Sequence, residues 1–155
     1  MSPQRLSRGV LITVAALAAF VTVQMIVAAQ QKPTVLSVFK SPTCGCCGLW
    51  VEHMKAAGFD VRVQDVEDID SVKRKLGVPG AVGSCHTAQV GGYVIEGHVP
   101  ADAVQRFLKE RPKVAGLAVP GMPLGSPGME MGGRKDPYAI LTFDQSGKTT
   151  VYEKR

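Results

Sequence analysis

The sequence shows no internal repeat and no basic stripe interleaved with aromatic residues. The first absence excludes a stacked-repeat architecture. The second removes the usual footprint of a nucleic-acid-binding surface. Two separated C-x-x-C pairs, the common pattern of a tetrahedral structural zinc site, are also missing. Cysteine is sparse, four in 155 residues, and poorly spaced for stapling. Cys46 and Cys47 are adjacent, and Cys44 and Cys46 are too close for a relaxed bridge. At most one disulfide could join distant segments, and it would have to use Cys85. Net charge is modest. The formal +5 falls to +3 when Arg5 and Arg8 are set aside with the N-terminal segment. The remaining basic residues are scattered, and Lys73-Arg74-Lys75 reads as a solvated helix face.

That N-terminal segment, residues 1–29, has the layout of an export signal. Arg5 and Arg8 precede an apolar stretch, and Val27-Ala28-Ala29 offers small residues for cleavage. An uncleaved membrane anchor is the competing reading, since a span needs about 20 apolar residues. Either reading places the domain outside the cytoplasm, most simply in a bacterial periplasm. Residues 33–155 suit one domain with its own core.

Along that domain, Thr34–Lys40 is β-branched and apolar between two prolines, which predicts a buried strand. Cys47, Trp50, Val51 and Met54 then recur on one face of a helix that ends near Gly58. Phe59 to Val66 alternates as a second strand. Asp68 can cap a helix carrying Ile69, Val72 and Leu76 inward. Thr87–Val90 and Tyr93–Glu96 flank Gly91-Gly92, a hairpin signal. Pro100 opens a helix with Val104, Phe107 and Leu108 inward. The order β-α-β-α-β-β-α predicts an α/β, thioredoxin-like fold. Residues 114–135 carry Gly or Pro at almost every third place, which predicts a long ordered loop, and Tyr138–Phe143 with Thr149–Tyr152 a final hairpin.

The chemistry concentrates in S-P-T-C-G-C-C-G-L-W, where Cys44, Cys46 and Cys47 sit at the start of the first helix. The positive end of a helix dipole lowers thiol pKa, and thiolate is the form that binds metal or attacks disulfides. Cys85, just before the third strand, would face that helix start. Four clustered thiolates suit Cu(I), shared on more than one ion, better than zinc. Met122 and Met129 would add soft thioethers, or else fill gaps in a core or lid. His86, beside Cys85, is a further ligand candidate. His98 reads as structural, capping the helix at Pro100 or bonding backbone; His53 reads as exposed and Trp50 as core. Cys44 and Cys47 also have the spacing of a thiol–disulfide oxidoreductase, and a structural zinc site is a third reading.

The stretches S-P-T-C-G-C-C-x-x-W-V, S-C-H-T-A, G-Y-V-I-E-G-H-V-P and G-L-A-V-P-G-M-P-x-G-S-P-G-M-E resemble a family long described as a domain of unknown function. That family is often classed as metal-binding and includes the CopG-like periplasmic copper proteins. The resemblance covers roughly Val35 to Tyr152. It implies a thioredoxin-like fold, export, copper bound by a cysteine cluster, and a role in copper resistance or redox handling, with other periplasmic copper-handling proteins as partners. It carries Cys44, Cys46, Cys47 and Cys85 over as ligands, and extends to His86, Met122 and Met129. Thioredoxins place a proline directly before the third strand, where this chain has Cys85-His86. That departure argues against a general disulfide exchanger.

Overall fold

The computed structural model describes residues 33–155, so the expected export or anchor segment lies outside the described residues. The first strand, β1 (Val35–Lys40), runs to the cysteine loop and buries Leu36 and Val38. Helix α1 (Gly45–Ala56) follows, and its buried face is Cys47, Trp50, Val51 and Met54, as the apolar spacing predicts. The chain leaves it through Gly58 at φ 91, a left-handed turn that favours glycine. It then enters β2 (Asp60–Asp65), parallel to β1. The expected alternation weakens along β2, where Val63 is exposed. The reason is position: β2 is an outer strand of the sheet, with no neighbour on its far side.

Helix α2 (Ile69–Lys75) starts at Asp68, whose carboxylate accepts the Ser71 N–H at 2.9 Å. Its buried residue is Lys73, while Ile69, Val72 and Leu76 are only half-buried. The expectation of a solvated Lys73-Arg74-Lys75 face therefore holds for Arg74 and Lys75 and fails for Lys73. The Lys73 ammonium is drawn in by a buried carboxylate, Glu96.

A 3-10 turn (Gly80–Val82) leads to the hairpin of β3 (His86–Val90) and β4 (Tyr93–Glu96). Gly91 and Gly92 have φ of 56 and 86, the two positive values a tight hairpin turn requires. Helix α3 (Ala101–Glu110) buries Ala101, Ala103, Val104 and Phe107, leaves Leu108 half-buried, and ends at Arg111 before Pro112.

The Gly/Pro-rich segment is not wholly irregular. It contributes β5 (Gly116–Ala118), parallel to β4 and antiparallel to β6 (Ala139–Phe143). Gly116 makes this possible, because a Cβ there would collide with the Val94 carbonyl and lie 2.7 Å from the Phe143 ring. β7 (Thr149–Lys154) closes the hairpin with β6. The described residues thus form a mixed α/β unit with three helices and one seven-stranded sheet, ordered β2-β1-β3-β4-β5-β6-β7. The main core joins Leu36, Val38, Trp50, Met54, Ile95, Phe107 and Ile140. Because β1 and β3 are neighbours, the C-terminal end of β1 and the start of β3 meet beside the first turn of α1.

Candidate metal centre

Cys44 holds the N-cap position of α1, with no side-chain capping bond, and its N–H donates to the Ser41 carbonyl at 3.1 Å. Cys46 and Cys47 lie in the first turn. Cys85 stands immediately before β3. The four sulfur atoms all lie within 4.8 Å of one another. Sequence spacing could bring the first three together, but only the β1–β3 pairing adds the fourth.

The four are not equivalent. Cys44 and Cys47 form a disulfide, while Cys46 and Cys85 are free. This bridge joins the C-x-x-C pair whose spacing is that of a thiol–disulfide oxidoreductase, at the start of α1, and Cys85 forms no long-range staple. One turn of helix brings the side chains of a C-x-x-C pair onto the same face, so the short link closes without distant partners. The Cys46 sulfur is 3.6 Å from that of Cys44 and 4.0 Å from that of Cys85. Burial, and then the charge of neighbouring Cys46, push the Cys85 thiol up to about 12. A bound cation would reverse that order, since a coordinating thiol is deprotonated by the metal itself.

Two histidines complete the far side. The Cys85 sulfur is 3.3 Å from His86 Nδ1 and 3.0 Å from His98 Nε2, and these three ligand atoms also lie within 4.8 Å of one another. Both imidazoles are fully buried. Burial holds His86 well below its ordinary pKa, with His98 and then Lys73 adding to the effect. Burial also lowers His98. The neutral imidazole that results is the metal-binding form. His98 Nδ1 donates to the Pro127 carbonyl at 2.8 Å, which fixes its tautomer and leaves the Nε2 lone pair facing Cys85. His86 Nε2 is buried without a partner. Its ring lies 4.4 Å from that of Trp50, whose indole N–H donates to the Val99 carbonyl.

His98 therefore belongs to the site as well as bonding backbone, and the helix cap expected of it falls to another residue. His53, expected to be exposed, is half-buried, and its Nε2 accepts the Ala101 N–H at 3.1 Å, at the start of α3. The signal for His98 was present in the sequence. A hairpin turning at Gly91-Gly92 pairs Thr87 with Glu96, and two further steps set Cys85 opposite His98.

A buried polar network holds the Cys85 segment. Glu96 is fully buried. It pairs with Lys73, accepts the Thr87 hydroxyl at 2.6 Å, and accepts the Ser84 N–H at 2.7 Å, one residue before Cys85. Lys73 also donates to Thr87 at 2.9 Å.

The Gly/Pro-rich segment reaches both walls. Gly121 donates to the Gly83 carbonyl and accepts the Ser84 hydroxyl at 2.5 Å. Gly128 packs so closely on α1 that a Cβ there would lie 2.7 Å from the Cys46 carbonyl and 2.8 Å from the Trp50 nitrogen. Met122 and Met129 are the neighbours of these two contacts; Met122 is exposed and Met129 half-buried. The donor set as a whole, thiols with neutral imidazoles in a half-buried setting, fits a soft cation.

A family model described as "Protein of unknown function, DUF411" matches residues 82–129, the span that carries Cys85, His86, His98, Met122 and Met129. No curated protein matches the chain in sequence. Two solved structures, titled copper resistance protein CopG, form 2 and form 1, are 44% identical to it. Form 2 aligns with a TM-score of 0.76 over 80% of this chain and 99% of its own. Form 1 aligns with a TM-score of 0.75 over 80% and 98%.

Proposed function

The chain belongs to the family of the copper resistance protein CopG, and from that premise we propose that it is an exported copper-binding protein of copper homeostasis. It holds Cu(I) on the thiolates of Cys44, Cys46, Cys47 and Cys85 when all four are reduced, with His86 and His98 on the far wall. Met122 and Met129 contribute thioethers from the overlying loop. The scaffold is of the thioredoxin type, supported by the β2-β1-β3-β4 order and by α1 starting at the cysteines. Export to the periplasm is supported by the basic and apolar character of residues 1–29. Copper bound there is sequestered or passed to other periplasmic copper-handling proteins.

The observation that carries this reading is the convergence of four sulfurs within 4.8 Å. Clustered thiolates can bridge ions, so more than one Cu(I) per chain is expected. The test is anaerobic titration of the reduced protein with Cu(I) against a strong Cu(I) chelator, with zinc in parallel. Saturation at one equivalent, with tighter zinc binding, would overturn it. A second reading, thiol–disulfide exchange with protein substrates, is favoured by the Cys44–Cys47 disulfide. Turnover of insulin disulfides by the metal-free protein would support it.

A further inference from the structure

The two ends of the sheet differ in character. β1 runs from Val35 to the cysteine loop, so the chain enters the domain at the end opposite the metal centre. The Gly91-Gly92 turn, the exit of α3 and the turn between β6 and β7 gather at that entry end. Thr34, just before β1, shares a cleft with Gly91, Tyr93 and Arg111. Gly91 and Tyr93 also line a neighbouring cleft with Lys113 and Asp144.

This end is basic. Lys109, Arg111, Lys113 and Lys148 are exposed, and none of the four is ion-paired among the described residues. The acidic groups beside them are already engaged. Asp144 accepts the N–H groups of Ser146 and Lys148, Glu110 accepts the Tyr152 hydroxyl, and Asp60 pairs with Arg62. Cations without partners on one surface leave their charge available to an anionic surface outside the molecule.

The chain that leads into this end points to the kind of surface. Residues 10–29 are apolar apart from Thr13, Thr22 and Gln24, and about 20 such residues are what a membrane span needs. Only residues 30–34 separate them from β1, and five residues reach at most about 17 Å. A domain tethered so closely has its entry end within reach of lipid headgroups. Anionic headgroups attract basic residues beside a span, roughly fivefold in binding for each Lys or Arg.

We propose that residues 10–29 stay on the chain as a membrane anchor, and that the basic entry end of the domain rests on anionic phospholipid headgroups. Of the two readings of the N-terminal segment, this takes the anchor. The metal centre, at the other end of β1, then faces away from the bilayer, open to donors and acceptors of copper in the aqueous phase. The membrane contact is independent of the copper reading and is tested apart from it.

The test uses the full chain, produced in a bacterium and separated into membrane and soluble fractions. Intact mass should show residues 10–29 retained and the chain in the membranes. A soluble chain beginning at Gln30 overturns the proposal. The membrane-bound chain is then placed in lipid nanodiscs of phosphatidylcholine, with or without phosphatidylglycerol, carrying a nitroxide quencher on the headgroup. Trp50, the single tryptophan, lies beside the metal centre and should keep its emission. Gln145→Trp adds a second one in the exposed turn between β6 and β7, and its emission should fall at least about twofold with phosphatidylglycerol present. The Lys109→Gln/Lys113→Gln/Lys148→Gln variant should abolish that dependence on phosphatidylglycerol. Equal quenching of both tryptophans overturns the proposal. Hydrogen exchange on the unaltered chain decides the matter even if a variant misfolds: amides at 91–93, 111–115 and 144–148 should exchange more slowly with phosphatidylglycerol than without it. Equal exchange on the two lipids overturns the contact. A Cu(I) titration of the same sample separates the readings. Cu(I) binding by a cleaved, soluble chain removes the membrane proposal alone, and an anchored chain that binds no Cu(I) removes the copper reading alone.

Discussion

One wall of the cysteine site is four consecutive residues, Cys44 to Cys47, at the open end of a helix. The other wall is Cys85, His86 and His98, drawn from the ends of two strands and packed against the core. The first wall needs only local geometry, because one turn of α1 places its side chains together. The second needs the β3–β4 register, the β1–β3 pairing, and a fully buried glutamate to hold Ser84 in place. A wall built locally tolerates change elsewhere in the molecule. A wall built from distant parts inherits every fault in its supports.

The largest expected effect therefore lies at Glu96, outside the ligand set. Glu96→Ala leaves the Lys73 ammonium buried and unpaired and frees the Ser84 N–H. Removing one partner of a buried ion pair costs about 3–5 kcal/mol. Urea unfolding that shows a loss below about 1 kcal/mol would mean that the network is not what supports the second wall.

Cys85→Ser comes next and tests the wall directly. Copper affinity should fall by more than the roughly 10–100-fold typical of losing a supporting residue around a metal. The far-UV circular dichroism of the metal-free protein should hardly change. Unaltered copper retention would confine the site to the first wall.

Gly128→Ala probes where the overlying loop meets the first wall. Gly128 has φ 84 and no room for a Cβ. Strain of this kind costs on the order of 1–3 kcal/mol, to be read from thermal unfolding. A neutral result would show that the loop is free to lift from α1.

His53 and His98 give a smaller and more selective contrast. His53→Ala removes a helix cap, which should cost about 1 kcal/mol of stability and leave copper affinity unchanged. Loss of copper affinity in that variant would show that α3 is coupled to the site. Smallest of all, Met122→Ala at an exposed position should alter stability by no more than about 0.5 kcal/mol. Any effect it has on Cu(I) affinity then reports a thioether ligand, and none would leave Met122 a surface residue.

Much of this molecule could be read along the chain. The inward face of α1, the Asp68 cap, the Gly91-Gly92 turn and the C-x-C-C cluster each depend on residues within a few positions of one another. Local chemistry of this kind is written in local sequence: a helix repeats its face every three to four residues, and a two-residue turn needs glycine. Even the meeting of Cys85 with the cluster followed from the expected element order.

What the chain order could not decide was which polar groups go inside. Lys73 has the same basic neighbours as Arg74 and Lys75, and only the buried Glu96 carboxylate across the fold distinguishes it. His53 took the helix cap expected of His98 because α3 starts against it, and His98 bonds the Pro127 carbonyl and faces Cys85 instead. β5 formed inside a Gly/Pro-rich stretch because β4 and β6 each offered it a strand to pair with. In each case the deciding partner lies far away in sequence. Burying an unpaired polar group costs more than any local propensity repays, so the tertiary structure, which supplies the partner, makes the choice.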